Sequence, residues 1–258
     1  MKRILMILLS LVPLMTTAQD ELFEKATFTL SDKTLPYRIM MPENLSDVEK
    51  YPLVLFLHGS GERGNDNKKQ LIHGGKLFAD SADRTKFTCI AVFPQCPKES
   101  YWANVKINSN AISANRFKFR NGGEPTGAMT MLMGLVQELE QHPNVDKNRI
   151  YVVGLSMGGM GTFELLSRMP KTFAAAIAIC GGDNPKSVTK YHKVPMWIIH
   201  GAKDKVVVPR HSIRLVDALL QLGAFPKFTL YDKADHNSWD LAFEEDDFFP
   251  WLFSHERK

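Results

Sequence analysis

The 258-residue chain predicts an α/β architecture: about eight mostly parallel strands behind an N-terminal antiparallel hairpin, with helices on both faces and no large cap domain. Three observations carry this reading. Short β-rich apolar runs recur along the chain, and helical patterns of ten or more residues lie between them. The runs, such as Leu53-Val54-Leu55-Phe56-Leu57, are apolar throughout rather than alternating, as strands buried on both faces are. Strands alternating with helices of this length imply βαβ units.

The elements follow in order. Met1-Lys2-Arg3 precedes a charge-free stretch from Ile4 to Gln19, broken by Ser10 and Pro13, and Thr16-Thr17-Ala18 supplies small residues at its end. This pattern describes a secretory signal peptide over residues 1–18, cleaved near Ala18-Gln19, and so a secreted or periplasmic protein. The apolar core is too short for a span, which needs about 20 apolar residues. Residues 19–258 are then expected to form a single domain. Residues 27–30 and 36–41 read as two strands around Ser31-Asp32-Lys33. Buried strands are expected at 53–57, 88–93, 149–153, 173–180, 196–200 and 227–231. Thr126 opens a helix carrying Met129, Leu132, Met133, Leu135, Val136 and Leu139; further helices cover 158–168 and 211–222, the last ending at Gly223. Residues 94–125 show no convincing period, and a loop of that length in a compact fold is usually functional or mobile. Within it, Arg116-Phe117-Lys118-Phe119-Arg120 reads as a solvated loop or lid edge.

Composition narrows the function classes. With 44% hydrophobic and 23% charged residues, the chain is neither a disordered nor a collagen-like sequence. Lys2 and Arg3 contribute two of the net four positive charges, which leaves 30 basic against 28 acidic residues and no overall field for nucleic acid. Three cysteines allow at most one bridge, with Cys89 and Cys96 the local candidates and Cys180 elsewhere.

In an open parallel sheet, ligands bind beyond the carboxyl ends of the strands. The run at 149–153 leads into Gly154-Leu155-Ser156-Met157-Gly158, followed by Gly159-Met160-Gly161. G-x-S-x-G at a strand-to-helix junction is a nucleophile elbow, in which residues without a Cβ let helix and strand approach behind the serine. The base should follow, oriented by a carboxylate between them in chain order. His200 closes a strand and reads as a buried strand-end residue. His211 opens a helix, where a solvated histidine is the default. His236, in the loop after the last strand, is the expected base. Asp204, after the preceding strand, is the expected acid, with Asp183 as its rival; Asp235 reads as a turn residue. Two N–H donors must face the developing oxyanion, and Met157 and Ser60 are the candidates, the latter in Gly59-Ser60-Gly61-Glu62-Arg63-Gly64. Glu62 and Arg63 form a candidate pair holding that loop.

Leu57-His58-Gly59-Ser60-Gly61-Glu62-Arg63-Gly64, Pro94-Gln95-Cys96-Pro97, the elbow, His200-Gly201 with Asp204 and Val207-Val208-Pro209, and Asp235-His236-Asn237-Ser238-Trp239 together resemble exported bacterial α/β-hydrolases. The resemblance is to the predicted-peptidase or phospholipase/carboxylesterase-like group, related to feruloyl and acetyl-xylan esterases and dienelactone hydrolases. It spans the chain from Phe28 to Trp239. It implies the α/β-hydrolase fold and ester hydrolysis through an acyl-enzyme, with Ser156, Asp204 and His236 as triad. Dienelactone hydrolases proper carry cysteine where this chain has Ser156, so their reaction is not implied. The tryptophan after Pro-Gln-Cys-Pro lies near the active site in related proteins, so Trp102, together with Trp239, is expected to line the substrate cleft. No metal or organic cofactor is expected. The expected partner is a small-molecule or polysaccharide-linked ester, possible acyl groups being acetyl and feruloyl. A serine peptidase for small peptides and a non-catalytic binding protein on the same fold are the alternatives.

Overall fold

The structure, a computed structural model, describes residues 21–257. The expected signal peptide and its cleavage site lie outside the described residues. Strands β1 (Glu24–Leu30) and β2 (Lys33–Met40) pair antiparallel with Leu30 opposite Lys33. The connection is therefore the two residues Ser31-Asp32, and Ser31 takes a φ of 55°, as primed hairpin turns require. Next come β3 (Tyr51–Leu57) and β4 (Ile90–Pro94), in which every residue is buried.

Residues 94–125 are not without regular structure. They hold β5 (Val105–Ile107) and β6 (Phe117–Phe119), paired antiparallel as a separate ribbon. Three-residue strands are too short to show a period, which is why the sequence read as loop. In β6 the two phenylalanines are half-buried around an exposed Lys118. Phe117 and Phe119 pack on a small cluster of Ala103, Met160 and Val207. The basic-aromatic cluster is thus a strand with its aromatic face turned inward, not a solvated loop.

The sheet is completed by β7 (Val145–Leu155), β8 (Ala175–Ile179), β9 (Met196–Gly201) and β10 (Lys227–Tyr231). Its order is β1-β2-β4-β3-β7-β8-β9-β10. Pairing is antiparallel for β1/β2 and β2/β4 and parallel elsewhere. Eight strands, mostly parallel, make this an α/β-hydrolase fold.

Helices α1 (Gly75–Ala79), α2 (Ser81–Lys86), α3 (Gly127–Leu139), α4 (Met157–Arg168), α5 (Val188–Tyr191), α6 (Arg210–Gln221), α7 (Trp239–Phe243) and α8 (Phe248–Phe253) flank the sheet. Strand β3 shows why both faces are covered. Leu53, Leu55 and Leu57 enter one core with Leu132 and Leu135 of α3, Phe163 of α4 and Leu215 of α6. Val54 and Phe56 enter the other with Phe78 of α1, Ala242 of α7 and Phe248 and Phe249 of α8. The period of two across the strand therefore feeds two apolar layers. Thr126 caps α3 by accepting from the Met129 amide at 3.1 Å, so the helix begins where the sequence opens it. Among the described residues no helix is long and apolar enough to cross a membrane.

Cys89, Cys96 and Cys180 are free and buried. Cys89 and Cys96 stand on either side of the extended strand β4. Seven residues at ~3.3 Å each place them about 20 Å apart, far beyond the ~7 Å limit for a disulfide.

Candidate active site

The site is assembled at the carboxyl edge of β3, β7, β8, β9 and β10. At the end of β7 the chain turns sharply into α4, and Ser156 at the corner holds φ 53° and ψ −115°. Such a conformation costs on the order of 1–3 kcal/mol in a non-glycine residue. Tertiary contacts hold it: the Ser156 amide donates to Ile179 O on β8 at 2.8 Å. The turn also requires Gly158, where a Cβ would lie 1.8 Å from the Leu57 carbonyl oxygen. Helix α4 starts at Met157, directly after the serine, so its positive dipole end lies beside the hydroxyl.

His236 reaches the serine from the loop after β10. Its Nε2 lies 3.0 Å from Ser156 Oγ, and its Nδ1 lies 2.7 Å from Asp204 Oδ2. Close approach of this loop depends on Gly201, the last residue of β9, where a Cβ would sit 2.3 Å from Asp235 O. Asp235 turns the loop by accepting from the His236 amide at 3.1 Å. With Asp204 on Nδ1, that nitrogen carries the hydrogen and Nε2 is left to accept from the serine.

Asp204 is buried, and its carboxylate is well supplied with donors. Oδ1 accepts from the amides of Val206 at 2.8 Å and Val207 at 3.0 Å. Oδ2 faces His236 Nδ1 and, at 3.3 Å, His200 Nε2. Burial pushes this carboxyl up, but the hydrogen bonds from His200 and His236, and then the charge of His236, outweigh burial and hold it below the usual carboxylate range. Asp183 makes no contact with His236. It sits on the Tyr191 hydroxyl at 3.0 Å and the Asn184 amide at 2.6 Å, and burial raises it to about 7.

The two expected oxyanion donors lie at the starts of different elements. Met157 is the first residue of α4 and Ser60 the first of a 3-10 turn, Ser60–Glu62, so neither amide has a partner within its own helix. The β3 loop passes close to the serine: a methyl built on Gly59 would lie 3.7 Å from Ser156 Cβ. His58, which sequence reasoning passed over, shapes this loop. Its Nε2 accepts from the Cys96 amide at 2.9 Å, so its Nδ1 donates to Gly59 O at 2.6 Å. Burial lowers its pKa to about 4 and keeps the ring neutral.

Three expectations need correction. Trp102 does not line the cleft: it is 0% exposed and packs edge-on beneath His58 at 5.5 Å. A position in the sequence near the active site does not reveal which layer a side chain enters. Glu62 and Arg63 do not pair. Glu62 lies 3.7 Å from His73, while Arg63 holds the loop through the carbonyls of Ser60, Lys98 and Ser100 at 3.0–3.1 Å. His211 is not solvated; it is buried against the edge of Phe119 at 5.1 Å, because the ribbon covers the start of α6. Trp239 is half-buried and stands edge-on to His236 at 5.4 Å.

From Ser60 a groove of about 820 Å³ runs outward past Gly61, Arg63, Asp66, Asn67 and Thr27. No aromatic side chain lines it. Asp66 is fixed there by the amides of Lys68 and Lys69 and by Gln95. Among the described residues, one group could hold a cation: the ligand atoms of Cys180, Asp204 and His236 lie within 4.8 Å of one another. The direct 2.7 Å contact between His236 and Asp204 is a hydrogen bond, and a cation there would displace its proton.

Comparison with known proteins points the same way as this geometry. The profile of the Phospholipase/Carboxylesterase family matches residues 44–246. A solved thermostable esterase is similar with a TM-score of 0.79 and 32% identity, over 92% of this chain and 64% of that one. Acetylxylan esterase A of Emericella nidulans is 25% identical over 67% of this chain and 53% of its own length. Dipeptidyl-peptidase 4 of Giardia intestinalis is 24% identical over 90% of this chain and 35% of its own. The chain thus spans about half or less of the length of these two curated relatives.

Proposed function

The chain belongs to the phospholipase/carboxylesterase family, and from that premise we propose that it is a serine hydrolase cleaving carboxylic esters through an acyl-enzyme on Ser156. The observation that carries this is the unbroken contact from Ser156 Oγ to His236 to Asp204, at 3.0 and 2.7 Å. In this reading His236 takes the hydroxyl proton as Ser156 Oγ bonds to the ester carbonyl carbon. Asp204 keeps Nδ1–H in place and stabilises the imidazolium that forms. The amides of Met157 and Ser60 receive the oxyanion, an arrangement worth on the order of 3–4 kcal/mol per donor. The C–O bond to the alcohol then breaks, and the alcohol leaves with the proton from His236. Water, deprotonated by the same imidazole, releases the acid and restores Ser156.

The groove beyond Ser60 favours a hydroxyl-rich alcohol, because most of its exposed wall is polar and Ser60, Thr27, Thr34, Asn65, Asp66 and Asn67 offer hydroxyls, amides and charge. We therefore read the substrate as a small-molecule or polysaccharide-linked ester, with acetyl or feruloyl as the acyl group. Trp239, beside the base, remains a candidate substrate contact. The N-terminal pattern adds an exported location, secreted or periplasmic, which N-terminal sequencing of the mature protein would test.

A second reading, a serine peptidase acting on small peptides, is favoured by the likeness to a dipeptidyl-peptidase over 90% of the chain, since acyl transfer to water uses the same groups. A side-by-side assay of acetyl, feruloyl, longer acyl and aminoacyl substrates separates the two. Ester turnover that disappears in Ser156→Ala is the expected result. Turnover surviving in that variant would sink the acyl-enzyme, and selective cleavage of aminoacyl amides would replace the esterase by the peptidase.

A further inference from the structure

The candidate acid is contacted by two imidazoles, and only one of them reaches the serine. His200, at the end of β9, is 0% exposed and uses both ring nitrogens. Nε2 lies 2.7 Å from Val207 O and 3.3 Å from Asp204 Oδ2. Both are acceptors, so this nitrogen must carry a hydrogen. Nδ1 lies 2.7 Å from Ser212 Oγ on α6 and accepts the hydroxyl hydrogen in the neutral ring. The hydroxyl oxygen is also 3.4 Å from Gly181 O, just past β8. A continuous chain of contacts therefore runs from Ser156 through half-buried His236 and buried Asp204 and His200 to Ser212, tying β7, the β10 loop, β9 and α6 together.

We propose that His200, held by Ser212, is a positioning residue for the candidate acid: its Nε2–H closes the Asp204–Val207 turn and shares Asp204 Oδ2 with His236. This rests on the hydrolase reading above. Two consequences follow from the geometry. By bonding Val207 O, His200 braces the turn whose Val206 and Val207 amides fix Asp204 Oδ1. By donating toward Oδ2, it helps fix the direction of the oxygen that meets His236 Nδ1. The other titratable groups facing this cluster are Cys180 just past β8, close to Asp204 and His236, and His211 on α6, which burial and then the charges of Arg210 and Arg214 keep neutral. Behind Trp239, which packs on His236, stand His73 and its partner Glu62. None of these donates a hydrogen bond to Asp204.

The test uses the full-length protein, with active sites counted by fluorophosphonate titration so that misfolded molecules do not enter the rates. His200→Leu is expected to lower kcat per titrated site about tenfold, the scale on which partners that orient a reactive histidine act elsewhere, with KM nearly unchanged. His200→Gln, whose amide nitrogen can replace Nε2–H, should recover most of the loss. Ser212→Ala, which leaves the imidazole in place but unanchored, should lower kcat per site by a smaller factor with KM again nearly unchanged, and it decides the matter if His200→Leu does not fold. Unchanged kcat per site in the titratable variants, or a change carried by KM instead of kcat, would overturn the proposal. So would His200→Gln behaving like His200→Leu, because packing rather than the donor would then be at work. If the wild-type protein is not titrated at all, the Ser156 reading fails and this proposal with it; normal titration with unaltered His200 variants overturns the His200 role alone.

Discussion

The loops that leave β8 and β9 each bury one aspartate at the same edge of the sheet, and the two carboxyls are in opposite states. Asp183 meets three neutral donors, the Asn184 amide, the Tyr191 phenol and the Ser187 hydroxyl, and burial, assisted by Glu164, raises it to about 7. Asp204 is no less buried by surface exposure, 3% against 7%. It nevertheless meets two amides and two imidazoles and is held below the usual carboxylate range. Burial alone therefore does not determine whether such an acid is charged. The number of donors, and whether one of them becomes a cation, decides it. A carboxylate that must stabilise an imidazolium has to be charged before the reaction begins, and only the β9 loop provides that state.

The contrast can be broken experimentally. The largest effect is expected for Asp204→Asn, which keeps the shape but removes the charge and leaves the wrong tautomer of His236. Turnover of a p-nitrophenyl acetate-type ester should fall about 10³–10⁴-fold with the circular dichroism spectrum and Tm little changed. Asp183→Asn should instead act on stability. A buried acid raised from 3.8 to about 7 keeps its proton in the fold while the unfolded chain releases it, so wild-type stability falls as pH rises through that window. The variant lacks this loss and should gain on wild type between pH 4 and 7, by about 4 kcal/mol at most. His58 acts in the other direction: depressed from 6.5 to about 4, it favours the fold above pH 6.5 and loses that contribution as pH falls toward 4. Denaturant titrations of wild type and Asp183→Asn across this range check both signs. A smaller effect is expected for Tyr191→Phe, which strips a donor from Asp183 and should cost about 1–2 kcal/mol of stability. The smallest is the effect of Asp183→Asn on ester turnover, which should stay within about twofold of wild type.

Much of this contrast could be read before any coordinates. The apolar run of β3 announces a strand covered on both faces, and the glycines around Ser156 announce the sharp turn. The loops after the last two strands single out Asp204 over Asp183 and His236 over His200 and His211, and the structure brings Ser156, His236 and Asp204 into hydrogen-bonding distance. What stayed hidden depends on contacts between distant segments. Whether Trp102 faces a cleft or the core is decided by His58, 44 positions earlier in the chain. The ribbon that buries His211 consists of two three-residue strands, too short for any pattern. His200 and Ser212 look unremarkable in sequence, because a strand end and a helix turn meet only in the fold.

The most direct test of the central claim is the rate at which a fluorophosphonate modifies the protein, followed in wild type, Asp183→Asn and Asp204→Asn, with the adduct located by mass spectrometry. The adduct is expected on Ser156 in all three, forming at the same rate in wild type and Asp183→Asn and orders of magnitude more slowly in Asp204→Asn. An adduct on another residue, or labelling of Asp204→Asn as fast as wild type, would contradict the assignment of Ser156, His236 and Asp204 as the reacting unit.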